Sequence, residues 1–197
     1  MKKQLLIISI FFMFVMCNEN SKIENERETQ KIVVKYNNGN IYCEGTYLVD
    51  KEVKTPLYFI GIWKYYYPNG NLSSVSELDD TGEWISHKSY RLNGILKSAS
   101  ITKDNISYSS FFNEDGKLQS ETITRVETEI NSEGEDEQKT TFKTNKLYYD
   151  NNQLKREWYE VDDEYNGLDK MWDEKGNLIL SVEYKNGFII NKSDYNL

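Results

Sequence analysis

Gly61-Ile62-Trp63-Lys64-Tyr65-Tyr66-Tyr67-Pro68-Asn69-Gly70-Asn71-Leu72 decides how the rest of the chain is read. Its first half alternates, with Trp63, Tyr65 and Tyr67 on one side of an extended backbone and Lys64 and Tyr66 on the other. Its second half is turn chemistry. Pro68 and Asn69 start a reversal, Gly70 supplies the positive φ that closes it, and Leu72 opens the return strand. The segment is a β-hairpin.

The same order of residues recurs along the chain. Tyr36 to Ile41, Tyr90 to Leu96, Phe112 to Leu118, Tyr149 to Leu154 and Trp172 to Leu178 each run from an aromatic through turn formers. They reach Gly39, Gly94, Gly116, Asn152 and Gly176, and two positions later comes Ile41, Leu96, Leu118, Leu154 or Leu178. Asn152 stands where the others have glycine because asparagine also tolerates a left-handed backbone. The closing residues are 31, 24, 22, 36 and 24 positions apart, a unit of about 23 with two insertions. Fifteen tyrosines and four tryptophans against a single alanine, Ala99, favour strand over helix throughout. The expectation is an all-β chain of successive hairpins.

The longest insertion has its own pattern. Thr122 to Thr128 and Thr140 to Thr144 alternate, and between them lies Ser132-Glu133-Gly134-Glu135-Asp136-Glu137. This reads as one extended hairpin projecting beyond its neighbours, with an acidic tip. Glu133, Glu135, Asp136 and Glu137 are candidate binding residues, and the alternative is a solvated loop with no partner.

The stretch from Gly61 to Leu72 resembles the MORN-repeat variant of bacteria: a Gly-x-Trp opening, paired aromatics, then a turn glycine. Gly167 to Leu178 keeps the same nine-residue separation between Gly167 and Gly176, and Gly82-Glu83-Trp84 opens a further copy. The resemblance covers roughly residues 31 to 190. It implies an elongated, twisted antiparallel sheet, with Gly61, Gly70, Gly167 and Gly176 as turn positions and Trp63, Tyr67 and Trp172 as packing aromatics. It carries over no catalytic residue, and it implies an antitoxin-type role as one function to weigh.

The first residues give an address. Lys2 and Lys3 precede an apolar run from Leu5 to Met16. As a helix its 12 residues reach about 18 Å, short of the ~30 Å bilayer core. The layout is that of a secretory signal, and Cys17 at its end resembles the acylated cysteine of a bacterial lipoprotein. The organisation expected is a signal at 1–16, a polar tether at 17–30 and a repeat domain at 31–197. The protein would be exported and held to the envelope membrane by lipid on Cys17. Taking Lys2 and Lys3 from the 24 basic residues leaves 22 against 32 acidic ones, a charge of −10. That balance argues against nucleic acid and anionic lipid headgroups as partners. The remaining cysteine, Cys43, reads as a small buried side chain.

Chemistry is scarce. With one histidine, His87, no Ser–His–Asp arrangement can be assigned and no His/Cys metal centre is expected. Asp79-Asp80 and Asp162-Asp163-Glu164 lack the spacing of a calcium loop and read as acidic turns before Gly82 and Gly167. No phosphate-binding glycine loop is present, and no cofactor is expected. What remains is aromatic surface: Trp63, Tyr65, Tyr67 and Trp84 are candidate binding residues, their alternative being cover for one another across strands. The expected function is non-enzymatic binding of a protein partner. Neutralisation of a toxin is the alternative, and glycan binding a second one.

Overall fold

The computed structural model describes residues 27–130 and 137–195. They form β1 (Arg27–Lys35), β2 (Ile41–Asp50), β3 (Pro56–Tyr66), β4 (Leu72–Leu78), β5 (Trp84–Tyr90), β6 (Leu96–Lys103) and β7 (Ile106–Phe112). There follow β8 (Leu118–Ile130), β9 (Glu137–Tyr148), β10 (Leu154–Val161), β11 (Glu164–Tyr165), β12 (Gly167–Trp172), β13 (Leu178–Lys185) and β14 (Phe188–Asp194). All belong to one open, twisted antiparallel sheet in which strands pair in chain order, with the short β11 hydrogen-bonded to β10. Each strand meets its sequence neighbours, so the array is quasi-one-dimensional.

One turn is used over and over. At Tyr36, Tyr67, Arg91, Asn113, Tyr149 and Asp173 the carbonyl accepts from the N–H three residues on, and the N–H donates to the carbonyl four residues on. The third residue is glycine, or Asn152 at φ 66°, in the left-handed region. This is a type I turn closed by a one-residue bulge. The bulge shifts register, so the residue before each turn pairs with the apolar residue after it: Tyr66 with Leu72, Phe112 with Leu118, Trp172 with Leu178. A seventh copy at Asp79–Glu83 joins β4 to β5 at the opposite end of the strands.

The six like turns stack along one end of the sheet, and their first side chains tie them together. Tyr36 Oη donates to the Tyr66 carbonyl at 2.7 Å and Tyr67 Oη to that of Tyr90 at 2.7 Å. Arg91 donates to the Phe112 carbonyl at 2.9 Å, and Tyr149 Oη to that of Trp172 at 2.9 Å. Asparagine amides add further rungs: Asn38 and Asn40 to Pro68, Asn71 to Leu92, Asn151 to Glu174. The sequence treats the recurring aromatic as one position, but the structure separates two. Tyr36, Tyr67 and Tyr149 open their turns and donate, whereas Tyr90, Phe112 and Trp172 stand one residue earlier and lend their carbonyls.

The other end is varied. Asp104-Asn105, Asp162-Asp163 and Asn186-Gly187 are two-residue turns with positive φ throughout, which match the twist of the strands they join. β8 and β9 stay paired through Ile130↔Glu137, while β7 stops opposite Arg125 and β10 opposite Phe142. Five extra rungs therefore project past both neighbours, by about 17 Å at ~3.3 Å per residue. The expected extended hairpin is present, and its tip, with Glu133, Glu135 and Asp136, lies outside the described residues.

Two expectations need correction. Gly61 and Gly167 are not turn residues. Gly61 lies inside β3, where Glu44 pairs with Lys64 and Thr46 with Ile60, and its φ of 65° carries the bulge. Gly167, at φ 93°, follows the break between β11 and β12. The paired strands also begin sooner than expected: Arg27 to Gln30, assigned to the polar stretch, are strand, paired with Asp50 to Tyr47. Their polarity is no obstacle. Tyr47 Oη donates to Gln30 at 2.9 Å and Lys54 to Glu28 at 2.6 Å.

Candidate functional site

A single sheet has two faces and no second layer to cover either. Paired residues share a face, so the register sorts the side chains. Face one carries Cys43, Tyr65, Ser74, Ser89, Ser98, Phe111, Ser120, Leu147 and Arg156 on one rung. Its next rung carries Trp63, Ser76, His87, Ser100, Ser109, Thr122, Asn145 and Trp158. Large residues gather at the two ends of this face, and hydroxyls fill most of the middle, where Phe111 stands half exposed.

Trp63 anchors the first end. It is 4% exposed and packs with Cys43, Leu78, Tyr47 and Tyr65. Its indole lies flat over Gly45, where a Cβ would meet the ring at 2.2 Å, and its Nε1 donates to the Thr46 carbonyl at 2.8 Å. Trp63 is thus core, and Tyr65 is half-buried beside it. Tyr67 is spent on the turn ladder. Of the four aromatic candidates only Trp84 is open to solvent, 58% exposed, edge-on to His87. Glu137 contributes a backbone rung opposite Ile130, and the other acidic candidates lie outside the described residues. Cys43 is buried, as expected, and burial raises its thiol pKa.

The second end holds a buried ion pair. Arg156 clamps Asp169 with two hydrogen bonds, 2.9 and 2.7 Å, and reaches Tyr165 Oη at 3.2 Å. Its guanidinium sits 4.5 Å from the Trp158 ring centroid, and Asp169 is 3% exposed. The Asp169 carboxylate, followed by the Tyr165 hydroxyl, holds the Arg156 pKa above its ordinary value. Nothing in this cluster is open enough to meet a substrate.

Between the ends, hydroxyls serve each other. Ser76 Oγ lies 2.8 Å from His87 Nδ1, Ser89 Oγ 2.6 Å from Ser98 Oγ, and Thr122 donates to Asn145 at 3.0 Å. A serine beside a histidine is the start of a nucleophile–base pair. Here Ser76 is 1% exposed, and the adjacent face-one rung on β4 to β6 is Ser74, Ser89 and Ser98, with no carboxylate. The pair is a cross-strand hydrogen bond that fixes register.

Face two is different. One rung is charged: Glu44–Lys64 on β2 and β3, and Glu121–Lys146–Glu157–Lys170 across β8, β9, β10 and β12. Lys146 and Glu157 approach to 3.5 Å. Tyr66 Oη donates to Glu44 and Tyr148 Oη to Glu121, both at 2.6 Å, and both phenols are pushed up to about 12. For Tyr66 the carboxylate contact is the main cause, and for Tyr148 burial is.

The next rung is apolar. Ile101 pairs with Tyr108, Tyr108 with Ile123, Ile123 with Thr144 and Thr144 with Tyr159. Ile101, Tyr108, Ile123 and Tyr159 are 49, 45, 37 and 39% exposed. Ile106, Arg125, Phe142 and Val161 form the rung beyond, with the Arg125 guanidinium 4.8 Å from the Phe142 centroid. Apart from Ile101, which lies beside it on the same rung, these residues line a shallow hollow of about 470 Å³ at the base of the projecting hairpin. The sequence reading missed this surface. Its members sit 7, 15, 21 and 15 residues apart, and only the hairpin register lines them up.

Stacked hairpins with an open apolar rung on one face have the build of a repeat-based binding module. Residues 60–80, which run from the start of the β3 bulge through the Tyr67 turn and β4, match the family model described as MORN repeat variant. No curated protein matches the chain.

Proposed function

We propose that this protein is an exported, lipid-tethered scaffold that binds a protein partner through face two and carries out no reaction of its own. The observation that supports this reading is the open apolar rung from Ile101 to Tyr159, which runs into the hollow at the base of the projecting hairpin and is bordered by a charged rung. Several apolar side chains aligned in one hollow mark interaction surface, whereas isolated ones do not. Trp63 is buried, so glycan recognition through it has no exposed ring to use. The address rests on Lys2, Lys3, the run to Met16 and Cys17.

Tyr108 and Ser109 are chain neighbours on opposite faces, which makes a clean comparison. A photo-crosslinker at Tyr108 in the native envelope captures a partner, and the same group at Ser109 does not. Equal capture from both faces would contradict the proposal. Globomycin leaves an uncleaved precursor if Cys17 is acylated, and unchanged mobility would remove the lipid anchor. Neutralisation of a toxin is the second reading, favoured by the five rungs of β8 and β9 that stand clear of the sheet. Its test is rescue of toxin-expressing cells by this protein.

A further inference from the structure

The occupant of the face-two hollow can be named by geometry. This step rests on the protein-binding reading above. We infer that the partner presents an amphipathic α-helix laid across the strands, apolar side down, with acidic flanks.

The interior strands β6 to β10 have both edges paired, so nothing can add to them by backbone hydrogen bonding. A partner must meet side chains. The apolar rung crosses five strands, four spacings of ~4.8 Å or about 19 Å, and with the rung beyond it is about one helix diameter, ~10–12 Å, wide. A strip of about 19 by 12 Å offers roughly 230 Å², against the ~800 Å² per partner of a stable dimer. The chain's net charge of −8 also sets a second copy against itself. A helix fits instead: its apolar side chains recur every three to four residues, close to the spacing of the strands.

The flanks supply the sign. Lys88, Lys146 and Lys170 border the apolar rung on one side, and Lys103 and Arg125 stand on the other. The acids among them offset part of this charge, because a carboxylate stays anionic in a hydrogen bond and cancels the cation it pairs with. Glu121 accepts from Tyr148 at 2.6 Å, Glu157 faces Lys146 at 3.5 Å, and Glu127 holds Arg125 at 3.1 Å. In the turn beyond, Asp162 accepts from the Thr141 N–H and Asp163 from Lys143. Lys88, Lys103 and Lys170 stand outside these ion pairs, so a chain that is acidic overall presents three uncancelled cations at this border, which suits acidic residues beside the apolar stripe of the helix.

The experiment places a photo-crosslinking residue in the full chain at Ile101, Tyr108, Ile123 and Tyr159 in turn, and maps the residue captured on the partner. A helix rises ~1.5 Å per residue, so each strand crossed advances the captured residue by about three positions, and Ile101 to Tyr159 spans about 13. Ordered steps of that size along one segment support the inference. Steps of one or two residues mean an extended segment, and scattered captures or crosslinks to a second copy of this chain likewise overturn it, with the binding role intact. Absence of crosslinks at all four positions removes the binding role and the helix together. Lys88→Glu with Lys103→Glu, both exposed in the free protein, lowers the yield at Tyr108 at least fivefold; an unchanged yield rules out the acidic flanks.

Discussion

Replacing Gly45 by alanine tests how the first end of the sheet is held. In most strand interiors that change stabilises by about 0.5–1 kcal/mol, because alanine has less backbone freedom to lose. Gly45 does not have the positive φ that would forbid a side chain, so only space decides. The new Cβ would sit 2.2, 2.4 and 2.7 Å from Cδ2, Cε2 and Cε3 of Trp63. Carbon atoms rest near ~3.5 Å, so the indole must lift by about 1.3 Å. Overpacking of that kind costs about 1–3 kcal/mol. Loosening the Trp63 Nε1 bond to Thr46 adds about 1 kcal/mol. After the backbone gain is subtracted, the variant loses about 2 kcal/mol. Urea unfolding, followed by tryptophan fluorescence and far-UV circular dichroism, should show the midpoint fall by about 1 M for a slope near 2 kcal/mol/M. In a Trp63→Leu background the ring is gone, and Gly45→Ala becomes neutral or stabilising. A midpoint unchanged or raised by Gly45→Ala alone refutes the stacking argument.

Arg156→Ala leaves Asp169 buried without its partner and lowers stability by about 3 kcal/mol, while Arg156→Met with Asp169→Leu recovers most of it; the same urea titration reads both. Tyr66 and Tyr148 titrate at about 12 in the fold against an ordinary 10.0. The folded chain then holds two protons that the unfolded chain releases, so their contribution is intact below pH 10 and is lost as pH rises towards about 12. Thermal midpoints between those values fall, and Tyr66→Phe with Tyr148→Phe flattens the fall. Asn152→Val forces a β-branched residue to φ 66° and costs about 1–2 kcal/mol, whereas Asn152→Gly costs nothing measurable by calorimetry.

How far the sequence reached follows from what a hairpin writes into it. A turn is local: its aromatic, its asparagine, its glycine and the leucine two places on lie within seven residues, so all six like turns were legible before any register was known. The seventh, at Asp79, was legible as an acidic turn before Gly82 but not as a copy of the other six, because Trp84 replaces leucine after it. Gly45 carried a signal that went unread. A lone glycine within an alternating apolar stretch marks a close approach, and the indole that approaches it stands 18 positions away.

Faces are harder to read than turns, because side-chain direction depends on every bulge that precedes it. Trp63 and Tyr67 look equivalent two by two along the strand, yet one is core and the other belongs to the turn. The bulge between Tyr65 and Tyr66 breaks the alternation that linked them. The apolar rung on face two is the extreme case. Ile101, Tyr108, Ile123 and Tyr159 come from four hairpin arms, one of them lengthened by the projecting insertion, and no periodicity along the chain relates them. Their alignment depends on the two-residue turn at Asp104-Asn105, where adding one residue would send every later side chain to the opposite face. The turn ladder makes such slips costly: each Tyr or Arg that donates to the next turn's carbonyl fixes one hairpin against another. The ladder at one end of the strands thereby sets the surface at their middle. A binding face can then be assembled from scattered residues without a core beneath it.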